Sequence, residues 1–420
     1  MNSSSSMAAA DAEEVEVPPY FLCPISLEIM KDPVTVSTGI TYDRDNIEKW
    51  IFSQKNLTCP VTKQPLSDAD DISLTPNITL RRLIQSWCTL HAVQRLPTPK
   101  PPVTKPDLLK LLAGAGNTTP QSQIKCLQRL RSIASQNQTN RLCMEKAGAA
   151  DFLASLIVRK SEAAASSDSE LLIKSSEDAL SILHTLQLSE SGLKSLISKP
   201  HFIGCLISFM RSTSYESRAY AVFILNSMLD VADPSHLINL TPQLFAELVQ
   251  ILKDQICRKA TKATLKVLIT TCSWGRNRVK AVGAGLVGVV MDLLLDSSDK
   301  RASEMMLMVL DLLCQCAEGR AELLQHPAGL AVVSKKILRV SHAASERAVR
   351  ILHSISKFSA TPAVLQEMLQ IGVVAKLCLV IQVDCGVRSK ERARQILKLH
   401  ARAWKNSSCI PNTFISTYPS

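Results

Sequence analysis

The strongest constraint on the fold is a helical pattern that recurs along most of the chain. Segments close to the outline A-x-x-[IV]-L-x-x-[LIM] recur after a looser first copy. Their central leucines are Leu130 in the looser copy, then Leu183, Leu225, Leu268, Leu310, Leu352 and Leu397. Successive leucines lie 53, 42, 43, 42, 42 and 45 residues apart. A period near 42 predicts stacked helical units rather than one compact domain.

Each repeat has room for two or three amphipathic helices, because a glycine or proline and a second apolar segment follow most of these leucines. No single unit can bury its apolar face, but stacked neighbours form one continuous core. This is the arrangement of armadillo and HEAT arrays. A generic helical bundle is the alternative, and the near-constant spacing argues against it. The longer first interval contains "RKSEAAASSDSE", which predicts a flexible insertion near 160–170.

Five prolines within "RLPTPKPPVTKPD" separate the repeats from a smaller N-terminal part. Such a run cannot stay helical and prefers an extended form, so it predicts a linker between domains. The predicted segments are a disordered lead (1–16), a first domain (17–92), the linker (93–107), helical repeats (108–405) and a tail (406–420).

The first domain carries signals for both strands and helices. β-forming residues on either side of Gly39 predict a short hairpin. Asp43 is a candidate cap for a helix running to Phe52, and Thr79 is a candidate cap for a later helix. The sequence therefore predicts a small α+β unit followed by a mainly α array.

Composition, the N-terminal sequence and the cysteines indicate the cellular compartment of the protein. The chain is 46% hydrophobic and 20% charged, as expected of a folded chain. Its N-terminus lacks the basic start and apolar run of a signal peptide, and no apolar stretch reaches membrane-spanning length. Thirteen scattered cysteines predict reduced thiols rather than disulfides. We expect a soluble cytoplasmic protein, with the nucleus and the plasma-membrane surface as further locations.

Positive charge is concentrated in the repeats. The formal net charge is +11, and the stretch from Gly329 to the end alone carries 14 Lys and Arg against 4 Asp and Glu. A basic surface favours acidic partners, although a solvated helix face is the simpler explanation. One cluster is our candidate for binding acidic or phosphorylated substrate segments: Arg258, Lys259, Lys262, Lys266, Arg276, Arg278 and Lys280.

Two short stretches keep the outline of a zinc site without its ligands. Ser26 and Thr62 stand where a C-x-x-C pair would place the partners of Cys23 and Cys59. Residues 1–90 contain three cysteines and no histidine, too few ligands for a tetrahedral site, so the ligand count excludes zinc. Hydrogen bonds and charge pairs are the expected replacement. The candidates are Ser26, Glu28, Asp32, Thr62, Lys63 and Asn77.

These stretches belong to a longer pattern with the markers C-P-I, D-P-V, G-x-T-Y-D-R, I-x-x-W, C-P-x-T and P-N-x-x-L-R. Together they closely resemble the U-box, a metal-free, RING-like fold of ubiquitin ligases. The resemblance implies a groove for a ubiquitin-conjugating enzyme formed by Ile25, Leu27, Trp50 and Pro60, with Lys63 positioning ubiquitin. It implies structural roles for Cys23, Asp32, Cys59, Thr62 and Asn77.

A U-box before armadillo-like repeats resembles the plant U-box armadillo ligases, and "RLPTPKPP", "ESRAYA" and "LQEMLQIGVVAKLCLV" extend this resemblance to their immune- and stress-signalling group. The resemblance implies substrate binding by the repeats, a homo-oligomer in some members, and transfer without a cofactor or covalent intermediate. Cys23 is a poor candidate nucleophile because the first 90 residues contain no histidine to lower the pKa of its thiol.

Three other functions remain as alternatives. A non-catalytic scaffold with a decayed U-box is disfavoured because all groove positions are intact. A nucleic-acid adaptor lacks a binding motif and stacking aromatics, with only 4% aromatic residues. An import receptor carries an asparagine at a fixed place in each repeat. Of the residues that directly follow the repeat leucines here, only Asn226 is an asparagine.

Overall fold

The computed structural model describes residues 17–53, 56–66, 74–91, 103–116, 120–162, 169–199, 201–238, 240–383 and 385–405. The predicted lead, most of the predicted linker, the centre of the predicted insertion and the predicted tail lie outside these residues. The chain divides into two compact units, residues 1–117 with 128–148 and residues 118–127 with 149–420.

A three-stranded antiparallel sheet lies at the centre of residues 17–92, here called the N-terminal module. Its strands are β1 (Pro33–Thr35), β2 (Thr41–Asp43) and β3 (Thr75–Pro76), in the order β2-β1-β3. Val34 pairs with Tyr42 on one side and with Pro76 on the other. β1 and β2 form the predicted hairpin, whereas the two residues of β3 are too few to show a strand pattern in the sequence.

Helix α1 (Arg44–Glu48) begins where the sequence predicts it, after Asp43. It ends early, and a π-helical turn, Lys49–Ser53, follows it. The Asp43 side chain makes no capping bond. Its carboxylate instead accepts the backbone N–H groups of Lys31 and Asp32 at 2.9 and 2.8 Å, which ties the helix start to the chain before β1. The prediction of a capping side chain is therefore wrong.

Helix α2 (Ile78–Leu90) has Asn77 rather than Thr79 as its cap. The Asn77 Oδ1 accepts the N–H of Leu80 at 3.0 Å, and Thr79 lies within the first helical turn. An asparagine at this position satisfies one of the unpaired N–H groups at a helix start.

The core of the N-terminal module joins the sheet, both helices and two loops. Its buried side chains are Phe21, Cys23, Met30, Val34, Val36, Tyr42, Ile47, Ile51, Cys59, Leu66, Ile84 and Cys88. Cys23 and Cys59 are fully buried in this core, so each thiol anchors the loop that carries it.

Helices follow one another through the rest of the described chain. They are α3 (Lys105–Gly116), α4 (Pro120–Ala134), α5 (Gln138–Lys146), α6 (Ala149–Glu162), α7 (Ser169–Leu186), α8 (Glu190–Ser198), α9 (Phe202–Met210), α10 (Tyr215–Asp230), α11 (Pro234–Leu237), α12 (Pro242–Asp254), α13 (Arg258–Thr271), α14 (Gly275–Gly283), α15 (Leu286–Asp296), α16 (Lys300–Leu313), α17 (Ala317–Gln325), α18 (Gly329–Lys336), α19 (His342–Phe358), α20 (Pro362–Gln370), α21 (Val373–Gln382) and α22 (Val387–Leu399).

The helices with the repeating leucines form a ladder in the second unit. α7 packs on α10, α10 on α13, α13 on α16, α16 on α19 and α19 on α22. The six leucines from Leu183 to Leu397 are all buried, so the sequence period marks the shared core. The fold is mainly α, a small α+β module followed by an armadillo-type α-solenoid, as predicted.

Within the described residues, no single helix is long and apolar enough to span a membrane. The pair α20 and α21, bent by 66° at its break, meets the length and composition requirement only when its two helices are counted together.

Candidate functional site

The first loop of the candidate site, residues 21–30 (loop A), is a tight turn closed by backbone hydrogen bonds. The N–H of Cys23 donates to the carbonyl of Glu28, and the N–H of Leu27 donates to the carbonyl of Cys23, both at 2.8 Å. Leu27 has a φ of 58°, in the left-handed region. Glu28 thus braces the loop with its backbone, while its side chain is exposed.

The second loop, residues 57–66 (loop B), repeats this turn. The N–H of Cys59 donates to the carbonyl of Gln64 at 2.8 Å, and the N–H of Lys63 donates to the carbonyl of Cys59 at 2.9 Å. Lys63 has a φ of 60°. The two C-P-x-[ST] stretches therefore form the same structure, with the cysteine inside and the fourth residue after it in the left-handed conformation.

A side chain of α1 holds loop A in place. Asn46 Nδ2 donates to Ser26 Oγ at 3.0 Å and lies 3.7 Å from Cys23 Sγ. The N–H of Asp43 donates to the same sulfur at 3.3 Å. Ser26 is therefore part of a hydrogen-bonded cluster at the position where a zinc ligand would stand.

Hydroxyl groups hold loop B in the same way. The Thr38 hydroxyl donates to Cys59 Sγ at 3.3 Å, and the Tyr42 hydroxyl lies 3.0 Å from it. Burial raises the pKa of the Cys59 thiol, but hydrogen bonds from Thr38, Thr62 and Tyr42 outweigh this and lower the pKa from 9.0 to about 6. The bonds stabilise a thiolate in loop B without a metal ion.

Three bracing residues, Thr38, Tyr42 and Asn46, were missed by the sequence argument. They lie in "STGITYDRDN", between the loops, and reach them only through the fold. The available signal was the G-x-T-Y-D-R marker together with the asparagine that follows it. Tyr42 lies on β2 and Asn46 on α1, so their side chains can reach separate loops. Among the described residues there is no group of three or more His, Cys, Asp or Glu placed to hold a metal ion.

Apolar side chains lie exposed at the surface of the two loops. Leu27 is 74% exposed, Ile25 is also exposed, and Pro60 is half-buried. Val61 of loop B is exposed as well and was not a sequence candidate. Such exposed apolar residues on rigid loops are typical of a protein-binding surface.

Trp50 links the π-helical turn after α1 to loop B. Its Nε1–H donates to the carbonyl of Thr58 at 2.8 Å, and the half-buried ring packs against the module core. The Lys63 ammonium lies over this ring, 5.9 Å from its centroid. The structure thus places Trp50, Pro60 and Lys63 on or beside loop B, and Ile25 and Leu27 on loop A.

Asp32 and Asn77 make structural contacts within the module. Asp32 pairs with Arg44 at 2.6 Å and with Arg81 of α2 at 3.7 Å. Asn77 Nδ2 lies 3.4 Å from Thr35 Oγ1 of the hairpin while its Oδ1 caps α2. These contacts join the hairpin, α1 and α2.

Glu48 connects α1 to the start of α5 inside the first unit. This side chain is 4% exposed, and its carboxylate accepts the N–H of Gln138 at 3.0 Å and the Thr139 hydroxyl at 2.5 Å. Arg44 lies 3.7 Å from the same carboxylate. A carboxylate at a helix N-terminus satisfies free N–H groups and interacts favourably with the helix dipole.

The predicted basic cluster is divided between two helices. Arg258, Lys259, Lys262 and Lys266 lie on α13, and Arg276, Arg278 and Lys280 lie on α14. Several of these cations have partners: Lys262 pairs with Asp299 at 3.1 Å, and Lys280 Nζ donates to the carbonyl of Leu240 at 2.7 Å. A cleft of about 230 Å³ beside Arg258 and Lys262 is lined by two carboxylates as well, so it is mixed in charge.

Three curated proteins of Arabidopsis thaliana are similar over nearly their whole lengths. E3 ubiquitin-protein ligase PUB23 is 54% identical, with 97% of this chain and 98% of the relative covered. E3 ubiquitin-protein ligase PUB22 is 51% identical over 97% and 99%. E3 ubiquitin-protein ligase PUB24 is 36% identical over 97% of each.

Two families match consecutive parts of the chain. The U-box domain matches residues 17–92, and the plant U-box protein ARM repeat region matches residues 107–420. A designed armadillo repeat protein aligns with 59% of this chain and 99% of its own at 17% identity and a TM-score of 0.45, which is too distant to support an argument. The two family matches and the relatives show that the chain belongs to the plant U-box armadillo-repeat ubiquitin ligases.

Proposed function

We propose that loops A and B bind a ubiquitin-conjugating enzyme through Ile25, Leu27, Trp50 and Pro60. The single observation that carries this proposal is the pair of identical turns, each anchored by a buried cysteine and each presenting apolar side chains to solvent. Rigid, pre-formed apolar loops lose little conformational entropy when a partner binds.

The transfer of ubiquitin then proceeds without a ubiquitin thioester on this chain. Cys23 and Cys59 are fully buried, so neither thiol can be reached by a carrier protein. The ligase acts by holding the charged enzyme close to a substrate lysine, which raises the rate through proximity and orientation. Lys63, beside the groove, is the cation that orients ubiquitin through hydrogen bonds to its backbone.

The armadillo repeats hold the substrate, and the chain also modifies itself. Stacked helical repeats of this kind commonly offer surfaces for binding other proteins. The loops that bind the carrier belong to the other compact unit of the chain. By resemblance we further propose a part in plant immune or stress signalling, action in the cytoplasm, nucleus or at the plasma-membrane surface, and pairing into homo-oligomers.

Self-ubiquitination of the purified chain with activating enzyme, conjugating enzyme, ubiquitin and ATP tests the proposal. We expect ubiquitin chains with the native protein and strongly reduced chains with Ile25→Ala or Pro60→Ala. Leu90→Ala, which removes an exposed leucine at the end of α2, is the matched control and should retain activity. If no conjugating enzyme of a broad panel yields ubiquitin chains, the scaffold alternative is supported. If all variants form chains as well as the native protein does, the proposed groove does not bind the conjugating enzyme.

Addition of a zinc chelator to the same reaction tests the metal-free bracing. We expect unchanged chain formation, because hydrogen bonds to Ser26 and Cys59 stand in place of metal–ligand bonds. Loss of activity on chelation, with recovery on added zinc, would contradict it.

A further inference from the structure

Three arginines gather on neighbouring helices near the C-terminal end of the solenoid. Arg347 and Arg350 lie on α19 and Arg392 lies on α22, which packs against α19. These residues are far apart in sequence from the basic cluster on α13 and α14. We call the three arginines the C-terminal arginine site.

A buried carboxylate orients two of the three guanidinium groups. Asp311 of α16 is 4% exposed. Its carboxylate accepts hydrogen bonds from Arg347 Nη1 at 2.9 Å and from Arg350 Nε at 3.2 Å. Both bonds arise from the packing of α16 on α19, so the two arginines are fixed before any ligand arrives.

The three arginine side chains remain partly exposed after making these bonds. The side chains of Arg347, Arg350 and Arg392 are 28%, 30% and 27% exposed. Asp311 engages one edge of each of its two arginines, and an arginine has five N–H donors in a planar fork. Arg392 is held more loosely, by Glu346 at 3.4 Å. The three side chains therefore keep part of their surface open to a ligand, and their pairing with one or two acceptors does not use all their donors.

The neighbouring His353 lies in the positive field of the site. His353 follows Arg350 by one helical turn, and burial lowers the pKa of its imidazole, with Arg392 and Lys357 lowering it further. Asp311 and Glu346 are the acidic side chains paired with the site in the described structure, so three arginines and Lys357 outnumber them. The four cations against two carboxylates leave the site with a net positive charge.

Oriented guanidinium groups at one point, rather than a long line of cations, match a compact dianion. A phosphate monoester offers three acceptor oxygens and nearly two negative charges, and arginine forks bind it bidentately. A nucleic-acid backbone would instead need cations spaced along its length. We propose that the C-terminal arginine site binds a phosphorylated segment of a protein substrate, an inference that rests on the proposed role of the repeats in holding substrates.

Binding of fluorescein-labelled degenerate peptides to the full-length chain tests the proposal. One peptide pool has a fixed central phosphoserine, and matched pools have serine or glutamate there. We expect fluorescence anisotropy to show preferential binding of the phosphoserine pool. Arg392→Gln should weaken that binding about tenfold, the loss of one charged hydrogen-bond partner. Arg392→Lys should retain part of it, because the charge stays and the fork is lost.

The choice of Arg392 keeps the test independent of folding. Its removal leaves Asp311 paired with Arg347 and Arg350, and thermal unfolding followed by circular dichroism checks each variant. Arg129→Gln, an exposed arginine on α4, makes the same charge change and should leave binding unaltered.

Equal binding of the phosphoserine and serine pools would overturn the inference, and so would equal weakening of binding by Arg392→Gln and Arg129→Gln. A single-stranded oligonucleotide that binds the native chain more tightly than the phosphoserine pool, and binds Arg392→Gln more weakly, would also overturn it. Self-ubiquitination of the native chain is measured in parallel. Its absence would overturn the ligase function, whereas intact chain formation without phosphate-dependent binding would overturn this inference alone.

Discussion

Leu27 and Lys63 share a left-handed backbone conformation, with φ of 58° and 60°, although neither is a glycine. Each donates its N–H to the carbonyl of the cysteine four residues earlier. A left-handed residue with a side chain costs about 1–2 kcal/mol. The buried cysteine and the backbone bonds around it hold each turn in this conformation, and strain of this kind is common at binding sites.

Replacement of Leu27 by asparagine should separate binding from folding. Asparagine adopts the left-handed region more easily than leucine, so we expect thermal stability to stay equal or rise slightly. The exposed apolar surface is lost, so affinity for the conjugating enzyme should fall about tenfold, as for an interface anchor. Calorimetry of binding and a thermal unfolding scan measure the two effects.

Leu90→Asn, the same change at an exposed leucine of α2, is the control and should leave affinity unaltered. Unchanged affinity of Leu27→Asn would show that loop A does not contact the carrier.

Replacement of Lys63 by arginine should speed ubiquitin transfer. The lysine ammonium is a point donor over Trp50, whereas an arginine fork can hold two carbonyl groups of ubiquitin at once. We expect a several-fold faster discharge of the charged conjugating enzyme onto free lysine at saturating ligase, with little change in binding of the uncharged enzyme. Lys31→Arg is the matched control on the same module. A slower discharge with Lys63→Arg would show that the ammonium itself is needed.

Periodicity and motif spacing were sufficient to predict the solenoid, the hairpin and the two equivalent loops. The repeating leucines predicted the solenoid correctly because the spacing of a buried aliphatic stripe is a local property of each helix. The proposed groove residues came from the family resemblance carried by the markers around Cys23 and Cys59, and of these residues Ile25 and Leu27 are exposed. The start of α1 after Asp43 was also predicted, but the predicted capping by the Asp43 side chain was wrong. Its carboxylate bonds to backbone groups before β1 rather than to its own helix.

Contacts between distant segments were beyond the sequence argument. Tyr42 contacts loop B, which follows it in the sequence, and Asn46 contacts loop A, which precedes it. Nothing in the local sequence assigns these partners. The basic residues show the same limit. Sequence proximity singled out α13 and α14, whereas Arg350 and Arg392 come together only through the packing of α19 on α22.

The stability of the U-box should depend on pH through Cys59. Its pKa is about 6 in the folded protein and 9.0 in the absence of its partners, so the unfolded chain binds more protons between these values. Stability therefore rises from pH 6 to pH 9, and this contribution is lost as the pH falls toward 6. Urea unfolding followed by tryptophan fluorescence across this range measures the slope, and Cys59→Ser should flatten it.

Cys88→Ser provides the control for this slope. Burial raises the pKa of the Cys88 thiol, so its contribution to the pH dependence lies at higher pH and the slope between pH 6 and 9 should persist. An identical slope in the native chain and in Cys59→Ser would contradict the thiolate in loop B.

Replacement of Glu48 by glutamine should loosen the start of α5. Glutamine keeps the size of the side chain but loses the charge that pairs with Arg44 and the helix dipole, and one of its two polar atoms is a donor facing groups that also donate. The expected loss of stability is about 1–2 kcal/mol, and the N–H of Gln138 should exchange with solvent faster. Hydrogen exchange with mass spectrometry locates the effect, and Glu28→Gln, an exposed glutamate of loop A, should leave this segment unchanged. Unaltered exchange at 138–139 in Glu48→Gln would show that the carboxylate does not hold α1 and α5 together in solution.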